Sequence, residues 1–256
     1  MPSVALRAAR RDPAAGTAAP PTIALLRSAS LSSAAQQEIE RMILAGEIPP
    51  GAKLAEAWLS ERLGVSRAPI REAFRMLEEA GLVQQEKNRG VFVRAIPLEE
   101  AIEIYDLRAV MDELVGRRLA QSITPAQLRS IKQLVEQMDQ AARRDDADAY
   151  HLLNLQFHDQ LVEYAGNRKM GAIYRKLVKE LALFRRRNLA QREVLPQSAA
   201  EHRQILKAIG SCDPDLAGRA MFNHVIESKQ RMLSSQARLE AQAVRSAPAR
   251  PRNGRR

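Results

Sequence analysis

Apolar positions recur every three or four residues along most of this chain, and the breaks between those runs are sharp. Ile39, Met42 and Ile43 open the series, with Ser32 or Ser33 placed to cap a helix and Gly46 to end it. Pro49-Pro50-Gly51 forces a turn, and a short helix is expected from about Glu56 to Leu63, closed by Gly64. Ser66 then caps a helix from about Arg67 to Ala80. Its Ile70, Phe74 and Leu77 form one stripe while Arg67, Arg71, Glu72 and Arg75 point elsewhere. Pro69 is compatible with this helix because first-turn N–H groups lack intrahelical acceptors. After Gly81 the pattern changes: Leu82-Val83 and Val91-Phe92-Val93 flank the polar stretch Gln84 to Gly90, which predicts two short strands with Gly90 near the tip of their turn.

From Pro97 to about Ser235 six helical patterns follow, separated at Thr124-Pro125, Asp145-Asp146, Gly166-Asn167, Pro196 and Asp213-Pro214, with no competing strand signal. The clearest stripes are Leu128, Ile131, Leu134/Val135, Met138 and then Leu153, Phe157, Leu161, Tyr164; both are read as core. The expected architecture is mostly α: a winged helix-turn-helix of three helices plus a small β-hairpin wing, then an all-α six-helix bundle. Residues 1–28 and 236–256 are rich in Ala, Arg and Pro and are read as a disordered arm and a disordered basic tail. The two folded parts are expected at 29–95 and 96–235.

Composition agrees, since apolar residues make up 45% of the 256 and aromatics only 4%, which favours helices packed by aliphatic side chains. The single cysteine, Cys212, excludes an intrachain disulfide, and no Cys-x-x-Cys spacing exists. The longest early apolar run, Ile23-Ala24-Leu25-Leu26, is far short of a signal-peptide core or a membrane span, so a cytoplasmic protein with no membrane partner is expected. The formal charge of +10 is less informative than it looks. Residues 1–30 hold four Arg and one Asp, residues 236–256 six Arg and one Glu, and residues 31–95 nine Lys/Arg against nine Asp/Glu. Tail arginines would add only salt-sensitive, non-specific affinity for phosphates.

The segment Leu59 to Phe74 has the layout that DNA reading needs: a supporting helix, a Gly turn, then a capped helix. The exposed start of that second helix carries Arg67 and Arg71. Arginine there can bond bidentately to guanine O6 and N7 in the major groove, and the helix N-terminus with Ser66 can hold a phosphate. On periodicity alone, a solvated Arg-rich face accounts for the same residues. The motifs decide between them. Ala45-Gly46-Glu47-Ile48-Pro49-Pro50-Gly51, then Leu63-Gly64-Val65-Ser66-Arg67 with Pro69-Ile70-Arg71-Glu72-Ala73, and Leu77 to Val83 closely resemble the winged-helix domain of GntR-family regulators over roughly residues 32–95. The resemblance implies that Ser66, Arg67, Ala68, Pro69 and Arg71 touch DNA and that the wing tip Asn88-Arg89-Gly90 approaches the minor groove. Some relatives carry an Arg where this chain has Ala57. Arg62 reads equally as a phosphate contact or a surface residue.

All four histidines, His151, His158, His202 and His224, lie in the second part, three of them on separate helices. Asn154 and His158 share a helix face four residues apart, with His151 on the same side. Imidazoles converging inside a bundle suit Zn or Ni, although scattered histidines are as readily core or surface residues. Residues about 98–235 resemble the FCD ligand-binding domain found behind this type of winged helix, through Phe157-His158, Gly166-Asn167, Glu201-His202 with Ala208-Ile209, and Ala220 with His224. Six helices rather than seven match its shorter, VanR-like subgroup within the FadR/VanR-like regulators. In that family an acidic residue four before the first histidine completes a three-His metal site, so the resemblance implies a divalent metal held by Asn154, His158, His202 and His224, with Asn154 in the acidic residue's place. Arg108, in Asp106-Leu107-Arg108-Ala109-Val110-Met111-Asp112, matches an Arg that in relatives faces the effector. It would bind a small organic acid or phosphonate, and an intrahelical pair with Asp112 competes for it. The chain as a whole is similar to regulators associated with phosphonate use. Arg185-Arg186-Arg187 is read as a solvated face.

The implied function is a homodimeric transcription regulator, in the commoner case a repressor, that reads an inverted repeat in double-stranded DNA under control of its effector. A metal-dependent enzyme would call for His-Glu-x-x-His or paired Glu-x-x-His, and neither is present. A nucleoid-type protein using basic tails would have no use for a ligand pocket.

Overall fold

Proline and the helix caps punctuate the chain where the pattern changes. The computed structural model describes residues 21–186 and 195–246. Helix α1 (Pro21–Ala45) leads to the two-residue strand β1 (Lys53–Leu54), then α2 (Glu56–Leu63), α3 (Arg67–Glu79) and strands β2 (Val83–Glu86) and β3 (Gly90–Val93). Six helices follow: α4 (Leu98–Ser122), α5 (Pro125–Arg143), α6 (Ala147–Tyr164), α7 (Arg168–Arg186), α8 (Leu195–Gly210) and α9 (Pro214–Ser246). Each break expected in the bundle coincides with a helix boundary. Thr124 and Gln127 form a reciprocal capping box with Pro125 in the first turn of α5, and Asp146 accepts from the Ala149 N–H at 3.0 Å to start α6.

Gly64, at φ 65°, closes α2 in the left-handed region and lets the chain reverse into α3. The stripe Ile70, Ala73, Phe74 and Leu77 of α3 is buried against Ile39, Met42 and Ile43 of α1. The sheet is antiparallel in the order β1-β3-β2, with Leu54 opposite Val91 and Val83 opposite Val93. The wing turn Lys87-Asn88-Arg89 places Asn88 at φ 62° and Gly90 at φ 109°, positive-φ positions that asparagine and glycine tolerate better than other residues.

Three local features depart from expectation. Helix α1 begins at Pro21, within the segment read as an arm. No proline or glycine interrupts residues 22–45, and a serine can cap a helix without being able to stop one. Strand β1 adds an edge to the expected hairpin. Two residues carry no detectable period, and β1 exists because the Pro49-Pro50-Gly51 turn brings Lys53 beside Phe92. Helix α9 continues to Ser246, into the segment read as a tail, since no proline follows Pro214 until Pro248. Residues 1–20 of the expected arm, residues 247–256 of the tail and the side chains of the Arg185-Arg186-Arg187 run lie outside the described residues.

The hydrophobic core forms two clusters. One fills the bundle through Val115, Leu119, Ile131, Val135, Phe157 and Leu161. The other joins α1, α3 and the sheet to Ile104 and Tyr105 of α4 and to Leu181 and Phe184 of α7, so the N-terminal part and the bundle share buried apolar surface. Ion pairs reinforce that junction. Arg94, in the connection before α4, binds Glu180 of α7 at 2.9 Å, Glu100 of α4 and the Gly81 carbonyl at 3.2 Å, and Lys179 binds Glu40 of α1 at 2.6 Å.

Candidate functional site

At the tip of α3 the backbone of Ser66 is extended (φ −68°, ψ 167°), and its hydroxyl makes no bond to the helix it precedes, contrary to the cap expected of it. The first N–H groups of α3 therefore lack a side-chain acceptor, which is the arrangement that receives an anion. Ser66, Arg67 and Ala68 are exposed there, and Arg67 has no partner among the described residues. Pro69 differs: it is buried with Ile70, so its ring shapes the first turn from below rather than facing outward. Arg71 is exposed but held by both oxygens of Glu56 at 2.9 and 3.0 Å. Arg62 lies over the exposed Trp58 ring at 5.4 Å and reaches Glu47 at 3.3 Å. On the wing, exposed Arg89 pairs with Glu86 and lies 5.3 Å from the Phe92 ring centroid, between exposed Asn88 and Gly90. Sequence reasoning missed Glu56 and Trp58, which steer two of the arginines. Exposed pairs of this kind are worth at most about 1 kcal/mol, so a phosphate can displace them cheaply.

The second candidate site lies in the bundle. His158 from α6, His202 from α8 and His224 from α9 are all buried, with ring centroids 4.5–5.6 Å apart, and each offers a ring nitrogen within 4.8 Å of the others. Two of the three rings have their outer nitrogen held by an acceptor. His202 Nδ1 lies 2.6 Å from the Ser198 carbonyl oxygen, to which it donates, so Nε2 is the inward atom; it is buried without a partner. Tyr150, whose hydroxyl bonds to Ser198 Oγ at 2.9 Å, covers the same ring. His224 Nδ1 donates to Glu201 at 2.8 Å, and Arg231 clasps that carboxylate with two bonds of 2.5 and 2.9 Å. His158 Nδ1 faces Asp112 Oδ1 at 3.6 Å, beyond hydrogen-bond length, and is likewise a buried atom without a partner. Orphaned buried nitrogens on convergent imidazoles, with the outer N–H groups fixed by a carbonyl and a carboxylate, are the donor set a Zn or Ni ion needs. The residues present fit such an ion. Asn154 stands one turn before His158, half-buried and without a hydrogen-bond partner among the described residues; His151 is half-buried on the same helix.

Arg108 is buried beside this cluster. It donates to the Tyr174 hydroxyl at 2.8 Å and sits 3.5 Å from Asp112, while its Nε has no partner. Tyr174 in turn donates to Asp112 at 3.1 Å. The intrahelical pair with Asp112 expected of Arg108 is formed, and its Nε is left without a partner among the described residues. Asp112 and Tyr174 escaped sequence reasoning as site residues. Asp112 is detectable only as a carboxylate on the inward face of α4, and Tyr174 carries no local signal.

Burial sets the protonation states. It pushes His158 down from its ordinary 6.5 to about 4 and His202 well below its ordinary value, so both rings are neutral ligands near neutrality. Burial alone would raise Asp112 and Glu201; His158 and Arg108 around the first, and His224 and Arg231 around the second, hold both carboxyls below the usual range. For the metal-free protein this predicts an acid-labile fold. The unfolded chain takes up a proton near pH 6.5 and folded His158 only near 4, so stability is fully present above 6.5 and falls through that window, by about 3 kcal/mol from this one group. Urea unfolding with a chelator present, at pH values from 7.5 down to 4.5, reads that slope; a stability flat across it would show the rings to be solvated.

Comparison with known proteins matches both parts of the chain. Residues 31–93 match the model for bacterial regulatory proteins of the gntR family, and residues 103–227 match the FCD domain. The chain is 31% identical over 182 residues to the transcriptional repressor RspR of Escherichia coli K12, covering 70% of this chain and 79% of that one. It is 28% identical over 192 residues to the gluconate operon transcriptional repressor of Bacillus licheniformis, covering 73% and 79%. A solved GntR regulator from Rhodococcus sp. RHA1 superposes with a TM-score of 0.68 at 25% identity, over 80% of this chain and 98% of that one. With its winged helix-turn-helix and its helical FCD effector domain, the chain belongs to the GntR family of transcription regulators and is not an enzyme.

Proposed function

We propose that this regulator is a cytoplasmic, homodimeric repressor whose grip on an inverted-repeat operator is set by a small anionic effector bound in the bundle. Residues 29–95 form its reading head and residues 96–235 its effector part. Ser66, Arg67, Ala68 and Arg71 enter the major groove, with Pro69 supporting the turn, Asn88, Arg89 and Gly90 meeting the minor groove, and Arg62 on a phosphate. His158, His202 and His224, with Asn154, hold Zn or Ni, which supplies a Lewis-acidic centre for an oxygen ligand of the effector. The observation that carries the effector class is the buried, unpartnered Nε of Arg108 beside three buried imidazoles: a buried guanidinium with a spare donor selects a carboxylate or phosphonate. The name of the Bacillus relative, a gluconate operon repressor, agrees with a small organic acid.

The test is competition binding to an operator selected from random DNA. Arg67→Ala should weaken selective binding about 10- to 100-fold, the worth of a bidentate base contact, while Arg238→Ala in α9 should alter only the salt-sensitive component. Binding lost equally on all sequences would overturn the reading.

A further inference from the structure

Tryptophan is a mostly buried side chain, yet the single one in this chain, Trp58, is 46% exposed. It stands in the first turn of α2, a helix that buries Leu59 and exposes Ala57, Glu61 and Arg62. The ring is not loose. Arg62, one turn further on, lies over it at 5.4 Å and is itself tied to Glu47 at 3.3 Å, so the guanidinium backs the indole and leaves its remaining surface to solvent. The neighbourhood indicates what that open surface meets. Glu56, the first residue of α2, holds Arg71 of α3 through both oxygens at 2.9 and 3.0 Å, so the first turn of α2 is kept against the end of α3 that begins with Ser66 and Arg67. In a helix-turn-helix the second helix enters the major groove while the first crosses the sugar–phosphate backbone that borders it. Trp58, two residues from Glu56, is therefore continuous with the DNA-reading surface.

We infer that Trp58 is itself a DNA contact: its indole lies on the deoxyribose–phosphate backbone at the edge of the groove that α3 reads, the ring against sugar and its Nε1–H, a donor only, toward a phosphate oxygen. The charge of the reading head argues for a contact of this kind. Residues 31–95 hold nine Lys/Arg against nine Asp/Glu, and Arg41, Arg62, Arg71, Arg75 and Arg89 each pair with a carboxylate. A head with no net charge gains little from counterion release, so part of its hold on the backbone comes from buried apolar surface, of which an indole offers a large amount. The ring is also prepared for the contact. Arg62 fixes it before DNA arrives, so little rotamer freedom is lost on binding. A backbone contact carries no sequence information, so Trp58 adds grip and leaves discrimination to Arg67 and its neighbours. The inference rests on the regulator reading above and assigns part of its backbone grip to a named side chain.

Since Trp58 is the only tryptophan in the chain, the fluorescence of the full-length protein reports this one ring. Titrated with a duplex selected from random DNA, wild type should show quenched and shifted emission and a several-fold drop in quenching by acrylamide. Trp58→Ala should bind about 10-fold more weakly, by the same factor on the selected duplex and on unrelated DNA and at every salt concentration. Trp58→Phe should recover most of that loss. Arg62→Ala behaves differently: it should lower the slope of log affinity against log salt by about one, as the loss of one phosphate contact does. An indole as open to acrylamide at saturating duplex as in the free protein, or a Trp58→Ala protein that binds like wild type, overturns the contact and leaves the ring to another partner. A loss confined to the selected duplex overturns it too, because the ring would then be reading a base. The same titration separates the two ideas: selective binding with Trp58 still accessible sinks the contact alone, whereas a ring shielded equally by every duplex, in a wild type with no preference among them, sinks the regulator reading alone.

Discussion

Arg108→Ala should destabilise the fold by about 3–5 kcal/mol, the penalty for stripping one partner from a buried charge pair, and should abolish any response of the operator complex to organic acids. The carboxylate it leaves behind is fully buried: Asp112 has no exposure, and its remaining neighbours are the Tyr174 hydroxyl and neutral His158. Arg117→Ala is the control. Arg117 also pairs with two carboxylates, Glu113 and Asp215, but it stands 39% exposed, so solvent screens those pairs and its loss should cost only a small fraction of what the loss of Arg108 costs. Equal costs for the two variants in urea unfolding would mean that Arg108 is not desolvated.

The pH dependence of the difference gives a sharper signature. In wild type Asp112 is held below the usual carboxylate range despite its burial, with Arg108 among the causes. Its contribution is therefore present above the unfolded carboxylate value and is lost only in strong acid. Without Arg108, burial governs and the folded carboxyl titrates above its unfolded value, so protonation relieves the variant. The gap between wild type and Arg108→Ala should narrow between pH 7.5 and 5, although both proteins lose stability there through His158 and His202. Arg108→Ala/Asp112→Asn should recover part of the loss at pH 7.5, because a neutral amide needs no counter-charge. An unchanging gap would place the cost in lost packing of the Arg108 stem rather than in charge.

Much of this was legible in the sequence because it is encoded locally. Thr124-Pro125, Asp146, Gly64 and Pro214 act within one turn of themselves, and every bundle helix begins or ends at such a residue. The stripes of α3 and α5 likewise point to one face each. What failed was also local, where a permissive residue was taken for a decisive one: Ser32 and Ser33 lie inside α1, and the Ser66 hydroxyl, placed to cap α3, makes no bond to it. The site divides the same way. The three histidines were found by motif, but what holds them comes from elsewhere in the chain: Asp112 from α4, the Ser198 carbonyl and Glu201 from α8, Arg231 from α9. The i, i+4 pair of Arg108 and Asp112 could be read from spacing. That Tyr174 of α7 bridges the two could not, because 62 residues separate it from Asp112 and no periodicity spans them.

Those outer partners decide what metal loading should show. Purified protein given Zn or Ni should bind about one ion per chain, and saturating metal should stabilise it by roughly 4 kcal/mol at a thousandfold excess over the dissociation constant, a rise of about 10 °C in melting temperature for a domain of this size. His202→Ala should abolish both, since its unpartnered Nε2 belongs to the most deeply buried of the three rings. Glu201→Gln keeps all three imidazoles but weakens the acceptor of the His224 Nδ1–H and releases Arg231. It should cost about 10- to 100-fold in metal affinity, as outer-shell partners do, together with the metal-free stability lost with the part-buried Glu201–Arg231 pair. The fourth ligand is decided by two further variants. If Asn154 completes the set, Asn154→Asp tightens binding by restoring a charge and Asn154→Ala loosens it. If the buried carboxylate of Asp112 does so instead, both Asn154 variants leave affinity unchanged and Asp112→Asn lowers it. Calorimetric titration with Zn distinguishes them, and a wild type that takes up neither ion would leave the three rings as a packed core and Arg108 as the sole anchor for an acid.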